Sequence, residues 1–349
     1  MGEVSTIGVD IAKLVFQIHG IDTDGTVVIR KCVGRAKFLE FFSKLPACLV
    51  GMEACATAHQ WARELKKLGH DTRLMPPTYV KAYVKRGKND AADAAAICEA
   101  VTWPSMRFVP IKSVEQQSAL MLHRTRDLLI RQRTQLINAL RAHLAEPGLV
   151  AAKGHEGLQQ LVMAVTDSND EQLPSHARFA CQAIVLQLHA VQTQISGFDK
   201  RINLAHRANA DSKRLEAIPG FGVILSTAVV ATMTDPKAFR TGREFAAWIG
   251  LVPRQNSSGG KERLGSISKQ GDRYLRRLLV LGTISIVGTA RARPDKYPWV
   301  TELLARRPAK VVAVALANKM ARTAWAVLAR GETYRAPTHS SRAVIAAAA

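Results

Sequence analysis

The strongest constraint on the fold is the order of β-rich and helical segments in the first hundred residues. Three short β-rich segments come first, and two more then alternate with segments of helical periodicity. Strands are predicted at residues 4–10, 14–19, 26–30, 48–53 and 72–75, and helices at 35–43, 57–68 and 90–101. The resulting β-β-β-α-β-α-β-α order predicts one sheet covered by helices, which excludes an all-α fold for this region.

This order of elements is that of a ribonuclease-H-like α/β domain. Acidic residues lie at the ends of two of its predicted strands and on one of its predicted helices. Asp10 and Glu53 each end a predicted strand, so neighbouring strands would bring both carboxylates to one edge of the sheet. Asp90 and Asp93 are three residues apart and share a helix face. Four converging carboxylates repel one another unless a cation holds them, and oxygen ligands suit Mg²⁺ or Mn²⁺. The plainer alternative is that the acids cap helices, with Asp90 as an N-cap.

The middle and the C-terminal part are predicted to be mainly helical. Residues 113–146 contain neither glycine nor proline, and a second long helix is expected over residues 175–208. Such a pair predicts an antiparallel, coiled-coil-like hairpin that can self-associate. Further helices are expected over residues 274–290 and 309–328. We therefore divide the chain into residues 1–108 (α/β), 109–210 (helical assembly region), 211–335 (mainly helical) and 336–349 (a flexible tail).

Composition restricts the partners. The 349 residues include 49 Lys and Arg against 28 Asp and Glu, a formal charge of +21, which favours a polyanion such as nucleic acid. The hydrophobic fraction of 47% excludes global disorder. The longest apolar run, residues 278–290, is too short to span a bilayer, so we expect no membrane association. The five cysteines lack CxxC spacing, so neither a zinc site nor a disulfide framework is expected, which fits a reducing cytoplasm.

A Gly- and Ser-rich segment in the C-terminal part is a second candidate for chemistry. Ser257 and Ser258 precede Gly259 and Gly260, and a phosphate can closely approach a serine beside glycines. From the residues alone, a flexible loop is the plainer interpretation. Three groups of residues are candidates for nucleic-acid contact: the cations around the serines, the cations before Asp90, and the glycines of a helix-hairpin-helix-like turn at residues 218–222. They are Arg254, Lys261, Arg263, Lys269, Arg273 and Arg276; Lys81, Lys85, Arg86 and Lys88; and Gly220 and Gly222.

Several of these segments together resemble a known family. Residues 8–13, 52–55 and 88–94 resemble the DEDD motif of the insertion-sequence family 110 transposases. The C-terminal segments look like that family's transposase domain, and the glycine pair after the serines is most similar to the sub-branch of element 1111. These segments are residues 218–222, 245–253, 257–260 and 268–276. The resemblance extends over residues 5–330.

This resemblance implies an activity and a set of roles. The N-terminal domain would be similar to Holliday-junction resolvases of the RuvC type, with Asp10, Glu53, Asp90 and Asp93 holding Mg²⁺. The family pattern places a nucleophilic serine just before a glycine, which selects Ser258, with Ser257 as the alternative. It further implies dimers or tetramers, DNA as substrate, a structured guide RNA and a place in the bacterial cytoplasm at the nucleoid. None of the RNA dependence is visible in the residues themselves.

Three functions follow as hypotheses. The first is a metal-dependent DNA recombinase that moves an insertion sequence through a covalent phosphoserine. The second is a junction resolvase that uses only the acids and water. The third is a non-catalytic nucleic-acid-binding protein, whose affinity would fall with salt.

Overall fold

The computed structural model describes residues 3–84, 89–167 and 173–336. The chain forms two compact units, Met1–Gln117 and Ser118–Ala349. The predicted cations Lys85, Arg86 and Lys88, and all but the first residue of the predicted tail, lie outside the described residues. The finer division at residues 108, 210 and 335 stays a prediction.

The first unit is built on a five-stranded mixed sheet. Its strands are β1 (Thr6–Ile11), β2 (Val15–Ile21), β3 (Val27–Gly34), β4 (Leu49–Glu53) and β5 (Asp71–Met75). They lie in the order β3-β2-β1-β4-β5. The hairpin strands β1, β2 and β3 are antiparallel, whereas β4 and β5 run parallel to β1. All five strands match the predicted segments, and the order is consistent with a ribonuclease-H-like domain.

Helices cover this sheet. They are α1 (Phe38–Ser43), α2 (Ala58–Lys67), α3 (Pro77–Val80) and α4 (Asp90–Thr102). Under α1 and α2, Phe16, Phe38 and Trp61 pack edge to face in the core, with Phe16 and Phe38 fully buried. Of these four helices, only the short α3, which begins at Pro77 with Pro76 as its N-cap, was not predicted from the sequence.

Helix α4 lies unusually close to the sheet because of two strand glycines. A Cβ at Gly8 would fall 2.2 Å from the carbonyl oxygen of Ala94, and one at Gly51 would fall 2.7 Å from Cβ of Val101. Small residues on α4 complete the fit, since Ala94 is fully buried. This close approach brings the first turn of α4 to the edge of the sheet where β1 ends.

The second unit begins with the helices α5 (Val114–Ala145), α6 (His155–Thr166) and α7 (Ser175–Ala208). The first four residues of α5 precede the boundary between the units at Ser118. Leu140 and Leu144 of α5 share a buried cluster with Cys181 and Val185 of α7. Nearer the other end, Arg126 forms an ion pair with Asp199. The two helices are therefore antiparallel, as predicted. Helix α6, inserted between them, was not predicted.

The rest of this unit packs around one apolar core. Its elements are α8 (Ala210–Glu216), α9 (Val223–Thr232), α10 (Gly242–Ile249), β6 (Pro253–Gln255), β7 (Leu264–Ile267), α11 (Arg273–Ala292), α12 (Pro298–Leu304) and α13 (Ala309–Arg330). The strands β6 and β7 form a hairpin where only a polar loop was expected. The architecture is thus a mixed α/β sheet followed by a helical remainder.

Helix α13 is long and apolar enough to cross a membrane by length and composition. Its apolar face is used inside the protein, however, because Val312, Leu316, Met320 and Val327 all belong to the core of the second unit. The helix is thus explained as a core helix, and it indicates no membrane protein.

Candidate functional site

The sheet register places two predicted acids side by side. Val9 of β1 pairs with Met52 of the parallel strand β4. Asp10 and Glu53 are the next residues of those strands, so both leave the sheet at the same edge. The expectation that these strands are neighbours is confirmed.

Helix α4 brings two more acids to this edge. One carboxylate oxygen from each of Asp10, Asp90 and Asp93 lies within 4.8 Å of the others. The N-cap of α4 is Asn89, whose side chain accepts a hydrogen bond of 2.7 Å from the amide of Ala92. The alternative in which Asp90 caps the helix is therefore wrong, because Asp90 is the first helical residue and the capping position is already filled.

Burial and like charge both disfavour ionisation at this edge. The pKa of Asp10 is raised, first by desolvation and then by repulsion from Asp90 and Asp93. The pKa of Glu53 is raised by desolvation and by the charges of Asp10 and Asp93. Glu53 thus interacts with the cluster electrostatically but lies outside the group of three within 4.8 Å. Such a set of oxygen donors fits a hard divalent cation, which would remove the repulsion.

The predicted serines lie at the tip of the β6–β7 hairpin. Ser258 and Lys261 form a β-bridge, and the amide of Lys261 donates to the carbonyl of Ser258 at 3.1 Å. Between them Gly259 and Gly260 have φ angles of 56° and 75°. Positive φ at both central residues is the requirement of a two-residue hairpin turn of type I′, which glycine meets at least cost. The glycine pair therefore specifies a turn, and it leaves both serines exposed.

The two serine hydroxyls differ in their contacts. Ser257 Oγ accepts a hydrogen bond of 3.0 Å from the amide of Arg263, which ties it to the opposite strand. Within the described ranges, the Ser258 hydroxyl makes no hydrogen bond. The geometry therefore gives Ser257 a structural contact and leaves Ser258 Oγ open to solvent.

The base of the hairpin is held tightly against α10 and α11. A Cβ at Gly271 would fall 1.9 Å from the carbonyl oxygen of Trp248, so only glycine fits. Arg276 donates from Nη1 to the carbonyls of Ile249 at 2.7 Å and Gln270 at 2.8 Å. The predicted contact residue Arg276 is thus engaged within the protein, and partial burial lowers its pKa.

The other residues predicted to contact nucleic acid differ in their exposure and packing. Arg254 is exposed and donates to the Ser268 carbonyl, whereas Gly220, at a φ of 81°, packs against Gly282 of α11. Gly220 thus has a packing role, while Gly222 is exposed at the start of α9. The remaining exposed cations are Lys81, Lys261, Arg263, Lys269 and Arg273. Contact of any of these with nucleic acid stays a prediction.

Two residues that set the geometry were missed at the sequence level. Asn89 stands where a helix-start signal is expected, three residues before Ala92, so its capping role could have been found. Gly8, inside a predicted strand, was a signal for close backbone approach.

Taken together, a mixed sheet with carboxylates gathered at the end of its central strand defines an α/β protein with a candidate divalent-metal site. Comparison with known proteins identifies the class further. A family model described as "Transposase", of the DEDD type and named for IS110, matches residues 7–147. The model of the "Transposase IS116/IS110/IS902 family" matches residues 212–297.

Whole-length relatives agree. The chain is 48% identical to a "Probable family 20 transposase" of Pseudomonas aeruginosa, over 95% of this chain and 99% of the relative. It is 44% identical to the "Putative transposase y4pF/y4sB" of Sinorhizobium fredii, over 95% and 86%. It is 39% identical to the "Transposase for insertion sequence element IS1111A" of Coxiella burnetii, over 96% and 92%. The chain belongs to the IS110 family of transposases, as its motifs indicated, and this family implies DNA as partner and DNA cleavage and recombination as activity.

Proposed function

We propose that this transposase moves its insertion sequence through a covalent phosphoserine formed by Ser258, with Asp10, Glu53, Asp90 and Asp93 holding Mg²⁺ or, in its place, Mn²⁺. The observation that carries the proposal is the convergence of Asp10, Asp90 and Asp93 within 4.8 Å at one edge of the sheet. These residues come from two distant segments, which only the close packing of α4 brings together.

The donor set supports a hard divalent cation. Every candidate ligand is a carboxylate, and the raised pKa of Asp10 reflects repulsion from Asp90 and Asp93 that a cation would relieve. When bound, such an ion would supply Lewis-acid stabilisation of the charge that develops on a phosphodiester. Within this arrangement β1 and α4 fix the carboxylates, while Glu53 adds negative charge beside them.

Ser258 would act as the nucleophile. Its Oγ would form a bond to phosphorus while the bond from phosphorus to the 3′ oxygen breaks, and the 3′ oxygen would leave as a hydroxyl with the serine's proton. Return of a 3′ hydroxyl to the same phosphorus would release the serine and rejoin the strand, so no external energy source is needed. The solvent-exposed hydroxyl at a glycine turn supports this role, because a phosphate can reach it without steric hindrance.

The wider proposal follows the family. We place the chain in the bacterial cytoplasm at the nucleoid, acting as a dimer or tetramer through its α5–α7 hairpin, with a RuvC-like first domain and a structured RNA that pairs with DNA. Delegating sequence choice to base pairing leaves the protein to contact backbone and shape. The charge of +21 supports a protein that handles polyanions.

A junction-cleavage assay tests the proposal. The wild-type chain is incubated with a labelled four-way DNA junction, Mg²⁺ and RNA transcribed from the element's flanks, and products are separated under denaturing conditions with and without protease. We expect a covalent protein–DNA species that Ser258→Ala and Asp93→Asn both abolish and that Ser257→Ala retains. Cleavage by Ser258→Ala without a covalent species would instead support a water-using resolvase. Cleavage that survives Asp93→Asn and Asp10→Asn would remove the acids from the mechanism.

A further inference from the structure

A groove runs along α13 in the second unit, and its lining includes neither a predicted serine nor a predicted acid. It consists of two cavities of about 580 Å³ and 770 Å³, whose common wall is formed by Trp299, Lys319, Thr323 and Ala326. Both volumes fall within the range of about 300–1,000 Å³ that is usual for ligand pockets. We refer to the two together as the α13 groove.

The first cavity, of about 580 Å³, is rich in aromatic residues. Tyr297, Trp299 and Tyr334 line the first cavity together with Met320. Lys319 Nζ lies 4.7 Å from the centroid of the Trp299 ring, so a cation already stacks on this aromatic group. Aromatic side chains in an open cleft can stack with unpaired nucleobases, whose faces are all available once strand pairing is lost.

Both cavities of the groove also carry basic residues. Arg243 and Arg322 line the second cavity, and the backbone of Gly242 packs closely against that of Arg322, which holds the start of α10 beside α13. Lys296 and Arg335 lie on the first cavity. Among the residues that the structure describes, none of these four cations forms an ion pair. The acids that line the groove are Asp295 and Glu332, so its lining carries a net positive charge.

We propose that the α13 groove binds an unpaired stretch of DNA, with bases in the aromatic cavity and phosphates on Arg243 and Arg322. The inference rests on the proposed function, because strand cleavage and exchange produce unpaired DNA. The combination of groups selects this occupant. An apolar ligand would leave the cations without counter-charge, an acidic peptide would not use three aromatic rings, and a duplex keeps its bases stacked away from the cavity.

Fluorescence anisotropy with the full-length protein tests the groove. The probe is labelled oligothymidylate of about 12 nucleotides, within the usual single-strand site range. We expect the double variant Arg243→Glu/Arg322→Glu to weaken binding at least about tenfold and to reduce the salt slope by about 1.4, the value for two lost phosphate contacts. The matched control Arg306→Glu/Arg307→Glu makes the same charge change at exposed positions outside the groove and should have a much smaller effect.

A second variant separates stacking from charge. Trp299→Leu should weaken binding about tenfold while leaving the salt slope unchanged, because it removes a stacking surface and no cation. Circular dichroism confirms that each variant is folded. Equal weakening by the groove and control pairs would overturn the proposal, since it would reduce the effect to net charge. Preference of the groove for oligouridylate RNA or for duplex DNA of equal length, judged by the same variants, would overturn the assignment to unpaired DNA.

The junction assay keeps this inference distinct from the proposed function. Ser258→Ala and Asp93→Asn lie outside the groove and should bind oligothymidylate like the wild-type chain. If they lose the covalent species as expected but the groove variants bind normally, only the groove assignment fails. If the groove variants bind weakly while Ser258→Ala still forms covalent products, only the assigned nucleophile fails.

Discussion

The acid cluster and the serine hairpin are held in place by different means. The cluster depends on packing: α4 lies against β1 because Gly8 has no side chain, and the carboxylates follow from that contact. The hairpin depends on backbone conformation: its base is packed, while its tip at Ser258 is exposed and shaped by two glycines at positive φ. This difference fits the roles proposed above, because a metal site would need fixed distances, whereas a nucleophile that meets a large substrate would need access.

The largest expected effect is a pH-dependent loss of stability that comes from buried His123, which contacts Tyr274 near the base of the serine hairpin. Burial and the neighbouring Arg126 lower the pKa of His123 to about 4, and its Nδ1 lies 3.1 Å from the hydroxyl of Tyr274 on α11. In the unfolded chain, His123 is protonated near its ordinary pKa, whereas in the folded chain it takes up a proton only near pH 4. Stability is therefore fully present above pH 6.5 and is lost as the pH falls towards 4, by about 3 kcal/mol in total.

Urea unfolding at pH 7 and pH 4.5 checks this prediction. The variant His123→Gln keeps an acceptor for Tyr274 but cannot titrate, so it should lose less stability than the wild-type chain over the same interval. Identical losses in the two proteins would show that other groups cause the acid sensitivity.

Next in size is the packing that supports the acid cluster. Gly8→Ala places a Cβ 2.2 Å from a backbone oxygen of α4, so the helix must move. We expect a loss of about 1–3 kcal/mol in the free energy of unfolding, together with impaired junction cleavage. Gly34→Ala at the end of β3 is the matched control, because no atom lies within 4 Å of its Cβ. Equal effects of the two substitutions would contradict the packing argument.

Helix capping should contribute less. Asn89→Ala removes the acceptor for the amide of Ala92 and should cost about 1 kcal/mol, as N-cap losses usually do. Asn89→Ser retains a capping acceptor without adding charge to the acid cluster and should restore most of the stability. Thermal unfolding of the two variants measures this, and a stable Asn89→Ala would mean that packing alone holds the first turn of α4.

The smallest effect is expected at the hairpin tip. Ser257→Ala removes one exposed hydrogen bond to the amide of Arg263, which should cost less than about 1 kcal/mol and leave the covalent product intact. The junction assay and thermal unfolding together check it. Complete loss of covalent product in Ser257→Ala, with normal stability, would make Ser257 the nucleophile.

The position of the acid cluster could largely be predicted from the sequence, whereas the helix packing that fixes it and the serine hairpin could not. Short β-rich segments, each ending in an acid, located β1 and β4, and their acids Asp10 and Glu53 emerge at one edge as expected. The distance between β1 and α4 could not be predicted from periodicity, because it depends on which atoms meet at Gly8. The hairpin was missed for a different reason: its strands are only three and four residues long, too short to show an alternation of apolar and polar residues.

Isothermal titration calorimetry with Mg²⁺ and Mn²⁺ measures whether the acids at the end of β1 bind a divalent cation. The wild-type chain should bind either ion, and Asp10→Asn and Asp93→Asn should each weaken binding more than about 100-fold, the upper range seen when residues behind a metal ligand are replaced. Asp24→Asn, in the exposed turn after β2, is the control and should bind normally. Unchanged Mg²⁺ and Mn²⁺ affinity in Asp10→Asn and Asp93→Asn would show that these carboxylates do not hold the cation.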